Sequence, residues 1–92
     1  MLPDNPFTQK RSPLGSEKIG YRGNINAIVS RDGSNALSPD ELERRLIELG
    51  FIEGATVEIL HEGIIGGDPI AVRVDNATVA LRRREAMAIL VD

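Results

Sequence analysis

His61 and Glu62 stand side by side, and Asp68 follows beyond a loop holding Gly63, Gly66 and Gly67. An imidazole and two carboxylates are acceptable ligands for ferrous iron, manganese or zinc. A tight site draws three or four such groups to one point, and His61 is the only histidine in the chain. Adjacent residues of a strand face opposite ways, so His61 and Glu62 converge only if the chain bends there. The competing reading is a polar histidine at a strand end. A phosphate cradle is excluded: the glycines lack the Lys and Ser/Thr that follow in a P-loop, and a strand comes next rather than a helix N-terminus. The same loop carries Ile64 and Ile65 at its tip. Burying one isoleucine contributes about 1.5–3 kcal/mol, so the pair either anchors a partner or folds back onto the main helix. Asp68 can bond back to the loop backbone.

Arginines form the other candidate surface. Arg44 and Arg45 lie on the polar face of a helix, and Arg82, Arg83 and Arg84 follow one another directly. Their bland role is a solvated rim with weak ion pairs, Glu85 among the acids in reach. Their sharper role is to grip carboxylates of an acidic partner through paired N–H donors. Catalysis is poorly supplied. Ser30, Ser34 and Ser38 sit on loops distant from His61, and a domain this small has little room for a cleft. The expectation is a protein that is not an enzyme.

The elements that must position these residues are legible in the pattern. "YRGNINAIV" (21–29) alternates, with Tyr21, Gly23, Ile25, Ala27 and Val29 on one face of a strand. Asp32-Gly33 marks a turn. "LSPDELERRLIELGF" carries helix punctuation: Ser38 as N-cap, Pro39 at the first position, Glu41 closing a capping box, and Leu37 with Leu42 as a staple. Leu42, Leu46 and Leu49 make the apolar stripe, with Ile47 beside it. Gly50 suits the left-handed position past the helix end, and Phe51 packs back on Leu46. Period two resumes at Ala55–Leu60, Pro69–Val74 and Thr78–Leu81, with Asp75-Asn76 as a two-residue hairpin turn. Arg82–Met87 can form one helical turn, and Ile89 and Val91 a last short strand.

These elements predict a mostly β fold with one main helix: a small SH3-like five-stranded barrel, the helix covering one end. Closure removes strand edges that would otherwise pair with other chains. Pro3, Pro6, Pro13 and Gly15 make residues 1–16 a flexible tail, leaving 17–92 as the domain.

Composition narrows the class. The chain has 92 residues, room for a single core. A formal net charge of −3 and three aromatic residues, Phe7, Tyr21 and Phe51, disfavour nucleic-acid binding, which needs a basic surface or stacking rings. With no cysteine, thiolate nucleophiles and Cys-based metal sites are excluded. No segment approaches the roughly 20 apolar residues that span a bilayer, and the N-terminus has no signal-peptide pattern. A cytoplasmic protein without direct membrane insertion is expected.

The ordered series Arg45-Leu46, Leu49-Gly50-Phe51, Gly54-Ala55, Val57, Gly67-Asp68-Pro69-Ile70, Ala80-Leu81-Arg82, Glu85-Ala86 and Ile89-x-Val91 resembles the FeoA family, small cytoplasmic accessory proteins of bacterial ferrous iron transport. The resemblance spans residues 21–92 and extends to the C-terminal SH3-like domain of iron-dependent repressors. It implies a noncatalytic module that binds or regulates the cytoplasmic part of a FeoB-type permease, the GTPase-linked carrier of Fe(II). The surface expected to dock combines Ile64, Ile65 and Asp68 with Arg44, Arg45, Arg82, Arg83 and Arg84. No cofactor is required on this reading. The alternative is a metal-responsive sensor domain in which His61, Glu62 and Asp68 contribute to a weak site for Fe(II) or another divalent transition metal. Two features depart from the family pattern. Ile64-Ile65-Gly66 stands where the family often has a proline and an aromatic, and the Ser12–Lys18 lead-in and the connection "SRDGSNALSPD" are longer.

Overall fold

In a computed structural model of the chain, residues 11–29 and 38–92 are described. The Asp32-Gly33 turn, Leu37 of the staple, Ser30, Ser34 and residues 1–10 of the tail lie outside them. Among the described residues six strands and two helices follow in order: β1 (Ser12–Pro13), β2 (Arg22–Ile28), α1 (Pro39–Glu48), β3 (Thr56–Glu62), β4 (Ile70–Val74), β5 (Ala77–Leu81), α2 (Arg83–Ala86) and β6 (Ile89–Val91). A single 3-10 turn, Leu14–Ser16, follows β1. The chain is mostly β with one main helix, as its periodicities require.

Every paired strand is antiparallel, in the order β1-β6-β2-β3-β4-β5. This corrects the expected closed barrel of five strands. There are six, and the outer two, β1 and β5, do not bond to each other. The sixth arises because residues 12–16, placed with the tail by their prolines, join the domain. Ser12 and Pro13 pair with Val91 and Leu90, and Leu14 is fully buried. A lone leucine between Pro13 and Gly15 has no periodic neighbours to announce it, but burying it contributes about 1.5–3 kcal/mol. The 3-10 turn packs against α2.

The main helix is built as its punctuation dictates. Ser38 Oγ accepts the Glu41 backbone N–H at 3.3 Å and donates to the Glu41 carboxylate at 3.1 Å, a cap of about 1 kcal/mol. At the other end Phe51 N–H bonds the Leu46 carbonyl and Gly50 N–H bonds that of Ile47, with Gly50 at φ 105°. That is the Schellman closure. It delivers Phe51, fully buried, to the core beside Leu42 and Leu46. The strands add Ile25, Val57, Ile59, Ile70, Val72, Val74, Leu81, Ile89 and Val91. Ile47 stays half exposed beside the stripe.

Two β-bulges reset the faces. Between Ile25 and Ala27, β2 inserts one residue against β6, so Ile28 packs on the core while Val29, assigned to that face by alternation, is 43% exposed. A second bulge falls at Leu60, where Ile59 pairs with Val72 and His61 with Ala71. One extra residue exchanges the two sides of a strand. This second bulge sets the chemistry of the loop that follows.

Candidate functional site

Beyond the Leu60 bulge, Glu62 lies directly opposite Ile70 and so shares its face of the sheet, while His61 sits opposite Ala71 on the other face; both residues are exposed. The loop 63–69 then turns back to β4. Gly63 N–H bonds the Pro69 carbonyl at 2.8 Å and closes its base. A Cβ on Gly63 would strike the Asp68 carbonyl, so the close approach of the two limbs requires glycine. Gly66 and Gly67 take the left-handed region, with φ of 68° and 69°.

One side chain organises this end of the molecule. Arg83, the first residue of α2, donates from Nε to the Gly67 carbonyl at 2.7 Å. Its Nη1 donates to the carbonyls of Gly15 at 3.0 Å and Glu17 at 2.7 Å. Its Nη2 meets Glu62 Oε1 at 2.7 Å. The backbone N–H of Arg83 donates to Asp68 Oδ1 at 2.8 Å. Arg83 thus ties the hairpin loop, β3 and the 3-10 turn to α2, doing with a side chain what no ladder does between β1 and β5.

This arrangement decides between the chemistries the sequence leaves open. Glu62 and Asp68 are both committed to Arg83, and the bulge turns His61 to the other side. The three do not form a metal centre, and among the described residues no group of three or more His, Asp or Glu could hold an ion. His61, Glu62 and Asp68 are therefore not gathered at one point in this structure. Ile64 and Ile65, in contrast, do not fold back onto the helix. They stand at the tip with exposures of 102% and 89%.

The arginines divide. Arg45 reaches from α1 to Glu85 Oε2 at 2.7 Å, while Glu85 Oε1 accepts the Arg82 backbone N–H at 3.0 Å. Glu85 thereby fastens α1 to the start of α2. Arg44, Arg82 and Arg84 are exposed, and none forms an ion pair among the described residues. Two of the five arginines expected to face a partner, Arg45 and Arg83, make contacts within the fold. Sequence reasoning missed the clamp because its acceptors are backbone carbonyls of Gly15, Glu17 and Gly67, which leave no residue-type signature.

A second polar group joins β2 to the end of the chain. Tyr21 Oη donates to the Asp92 carbonyl at 2.6 Å, and Asn26 Nδ2 to the Asp92 carboxylate at 2.8 Å. Burial raises the Tyr21 hydroxyl pKa above its ordinary value, and the negative charges of Glu17 and Asp92 add to that. The group fastens the end of β6 to β2 and presents no reactive pair.

The comparisons with known proteins agree with this architecture. The FeoA domain family model matches residues 13–92. The FeoA protein of Stenotrophomonas maltophilia, a prokaryotic SH3 domain protein solved with zinc and put forward as a ferrous iron transport activating factor, is 30% identical. The alignment covers 86% of this chain and 87% of that one, with a TM-score of 0.70. A FeoA-like protein of Clostridium acetobutylicum is 26% identical over 92% of this chain and 88% of its own, with a TM-score of 0.75. A manganese-dependent transcriptional repressor is 25% identical at TM-score 0.71, and the alignment covers 91% of this chain and 42% of the repressor. No curated protein sequence matches. The SH3-like fold is thereby established, and the start of the family match at residue 13 agrees with the burial of Leu14. The chain belongs to the FeoA domain family.

Proposed function

We propose that this chain is a noncatalytic cytoplasmic accessory protein of ferrous iron transport, which docks through its 63–69 hairpin tip on the cytoplasmic part of a FeoB-type permease. The observation that carries this reading is the full exposure of Ile64 and Ile65 on a loop whose base is held rigid by Arg83. An apolar pair in water is an unspent driving force, and a pre-organised tip loses little entropy on binding. Arg82 and Arg84, exposed at the rim, supply charge for an acidic surface of the partner, and Arg44 extends that charge along α1. Asp68 and Arg83 hold the base of the same loop as its supports. Among the described residues no helix is long and apolar enough to cross a membrane, which suits a partner to the permease rather than a pore. The test is capture of the permease's cytoplasmic domain on immobilised protein. Wild type retains it, and the double variant Ile64→Asp, Ile65→Asp loses it; equal capture by both removes the tip from the account.

The metal-sensing alternative draws support from the zinc bound to the S. maltophilia relative. Here the candidate ligands Glu62 and Asp68 are engaged by Arg83. Calorimetric titration with Fe(II) or Mn(II) under reducing conditions separates the readings: saturable micromolar binding lost in His61→Ala favours sensing, and its absence favours docking alone.

A further inference from the structure

The edge strand β5 has a geometry that the docking function does not use. The two-residue turn at Asp75-Asn76, with Asp75 at φ 51°, makes Val74 and Ala77 a bonded pair. Bonded pairs then recur at Val72 with Val79 and Ile70 with Leu81. The N–H and C=O groups of Thr78 and Ala80 consequently point away from β4. β5 is the last strand of the sheet, and no backbone group among the described residues pairs with them. Natural edges are blunted by charge, proline, bulges or shortness. The other edge, β1, is two residues long and half proline. β5 has five residues, "ATVAL", with no charge, no proline and an unbroken register.

We propose that β5 pairs with β5 of a second copy of this chain, antiparallel about a two-fold axis at Val79. In that register Thr78 of each copy exchanges two backbone hydrogen bonds with Ala80 of the other, four in all. The charges at the strand's ends select a copy of itself. Asp75 precedes β5 and Arg82 and Arg84 follow it, all three exposed. Antiparallel pairing lays the acidic end of each strand beside the basic end of its partner, whereas a parallel arrangement would set like charges together. The contact is small and belongs to the weak, transient class.

Two measurements on the full chain test this. Sedimentation equilibrium over a wide concentration range should show a reversible monomer–dimer equilibrium that weakens with added salt. Thr78→Pro, which removes an outward N–H but no bond to β4, should raise the dimer dissociation constant at least about tenfold. Circular dichroism verifies that the variant is folded. The second measurement exploits the absence of cysteine. Val79→Cys places two thiols on the axis at a non-bonded pair, where cross-strand side chains come closest, and should oxidise to a covalent dimer much faster than Thr78→Cys. A monomer at every concentration overturns the pairing, as does a dimer indifferent to Thr78→Pro or equal cross-linking by the two cysteine variants. A monomer whose capture of the permease domain is abolished by Thr78→Pro overturns it in favour of a partner's strand on the same edge.

Discussion

Arg83 and Glu62 meet at 2.7 Å across 21 positions of sequence, and they do so because one extra residue at Leu60 turns the carboxylate to Ile70's face of the sheet. Without the bulge, alternation would carry His61 to that face and Glu62 to the other. The ion pair and the three carbonyls on the same guanidinium convert a glycine-rich loop into a fixed tip. Function and fold are joined here through a side chain that touches no partner in the proposed complex.

Replacing Arg83 should therefore loosen the tip and weaken the fold together. Arg83→Ala strips the carbonyls of Gly15, Glu17 and Gly67 of their donor and leaves Glu62 without a cation. The pair is partly open to solvent, with side-chain exposures of 22% and 37%, so its Coulomb share is small. The hydrogen bonds dominate, and a loss of about 2 kcal/mol is expected. For a domain of this size that lowers Tm by roughly 10 °C. Arg83→Lys keeps the charge but not the fork, and should restore less than half of the loss. Thermal melts of the three proteins check this.

The tip itself should behave in the opposite way. Ile64 and Ile65 bury nothing, so the double change to aspartate should leave stability within about 0.5 kcal/mol of wild type. A denaturant titration with an unchanged midpoint, alongside lost capture of the permease domain, would separate binding from folding. A large drop in stability would mean that the pair packs against the protein.

The 3-10 turn should tolerate no side chain at its centre. A Cβ on Gly15 would collide with the Arg83 carbonyl oxygen and lie 2.9 Å from Met87 N and Sδ. The first two obstacles are backbone and cannot swing aside. Gly15→Ala should cost roughly 3 kcal/mol, read by the same denaturant titration, although residues 1–16 carry every mark of a dispensable tail. Gly20, with nothing within 4 Å of its would-be Cβ but φ at 92°, should lose far less on the same change, about 1 kcal/mol.

What was legible in the sequence is what short range decides. Ser38 to Phe51 spells out both ends of α1 because each cap is a contact between residues three to five apart. The alternation of Val57 and Ile59, and of Ile70, Val72 and Val74, reads directly as buried faces. The bulges at Asn26 and Leu60 carry no glycine or proline to mark them, so the alternation that places Val29 inward has already been interrupted before it. Leu14 and Arg83 depend on the chain returning to itself from 66 to 68 positions away. No window along the sequence contains both halves of such a contact. The exposed isoleucines were visible as a composition anomaly, but whether they fold back is settled only by the path of the loop.

Tyr21 offers a check on the junction of β2 and β6 that needs no label. The chain has one tyrosine and no tryptophan, so its near-ultraviolet absorbance reports that hydroxyl directly. Burial comes first in holding its pKa above 10.0, then the charges of Glu17 and Asp92. The folded state keeps the proton more tightly than the unfolded chain does. The corresponding stability is therefore complete below pH 10.0, the ordinary tyrosine value, and is lost as pH rises through the raised folded value. A spectrophotometric titration should give a midpoint above that of the denatured chain, and Glu17→Gln should move it down by removing one of the two charges. Gly23→Ala should move it as well, because the new methyl group would occupy the space where Tyr21 Oη meets the Asp92 carbonyl. Coincident midpoints for native and denatured protein would mean that the hydroxyl is free in water and that the end of β6 is not fastened to β2 in this way.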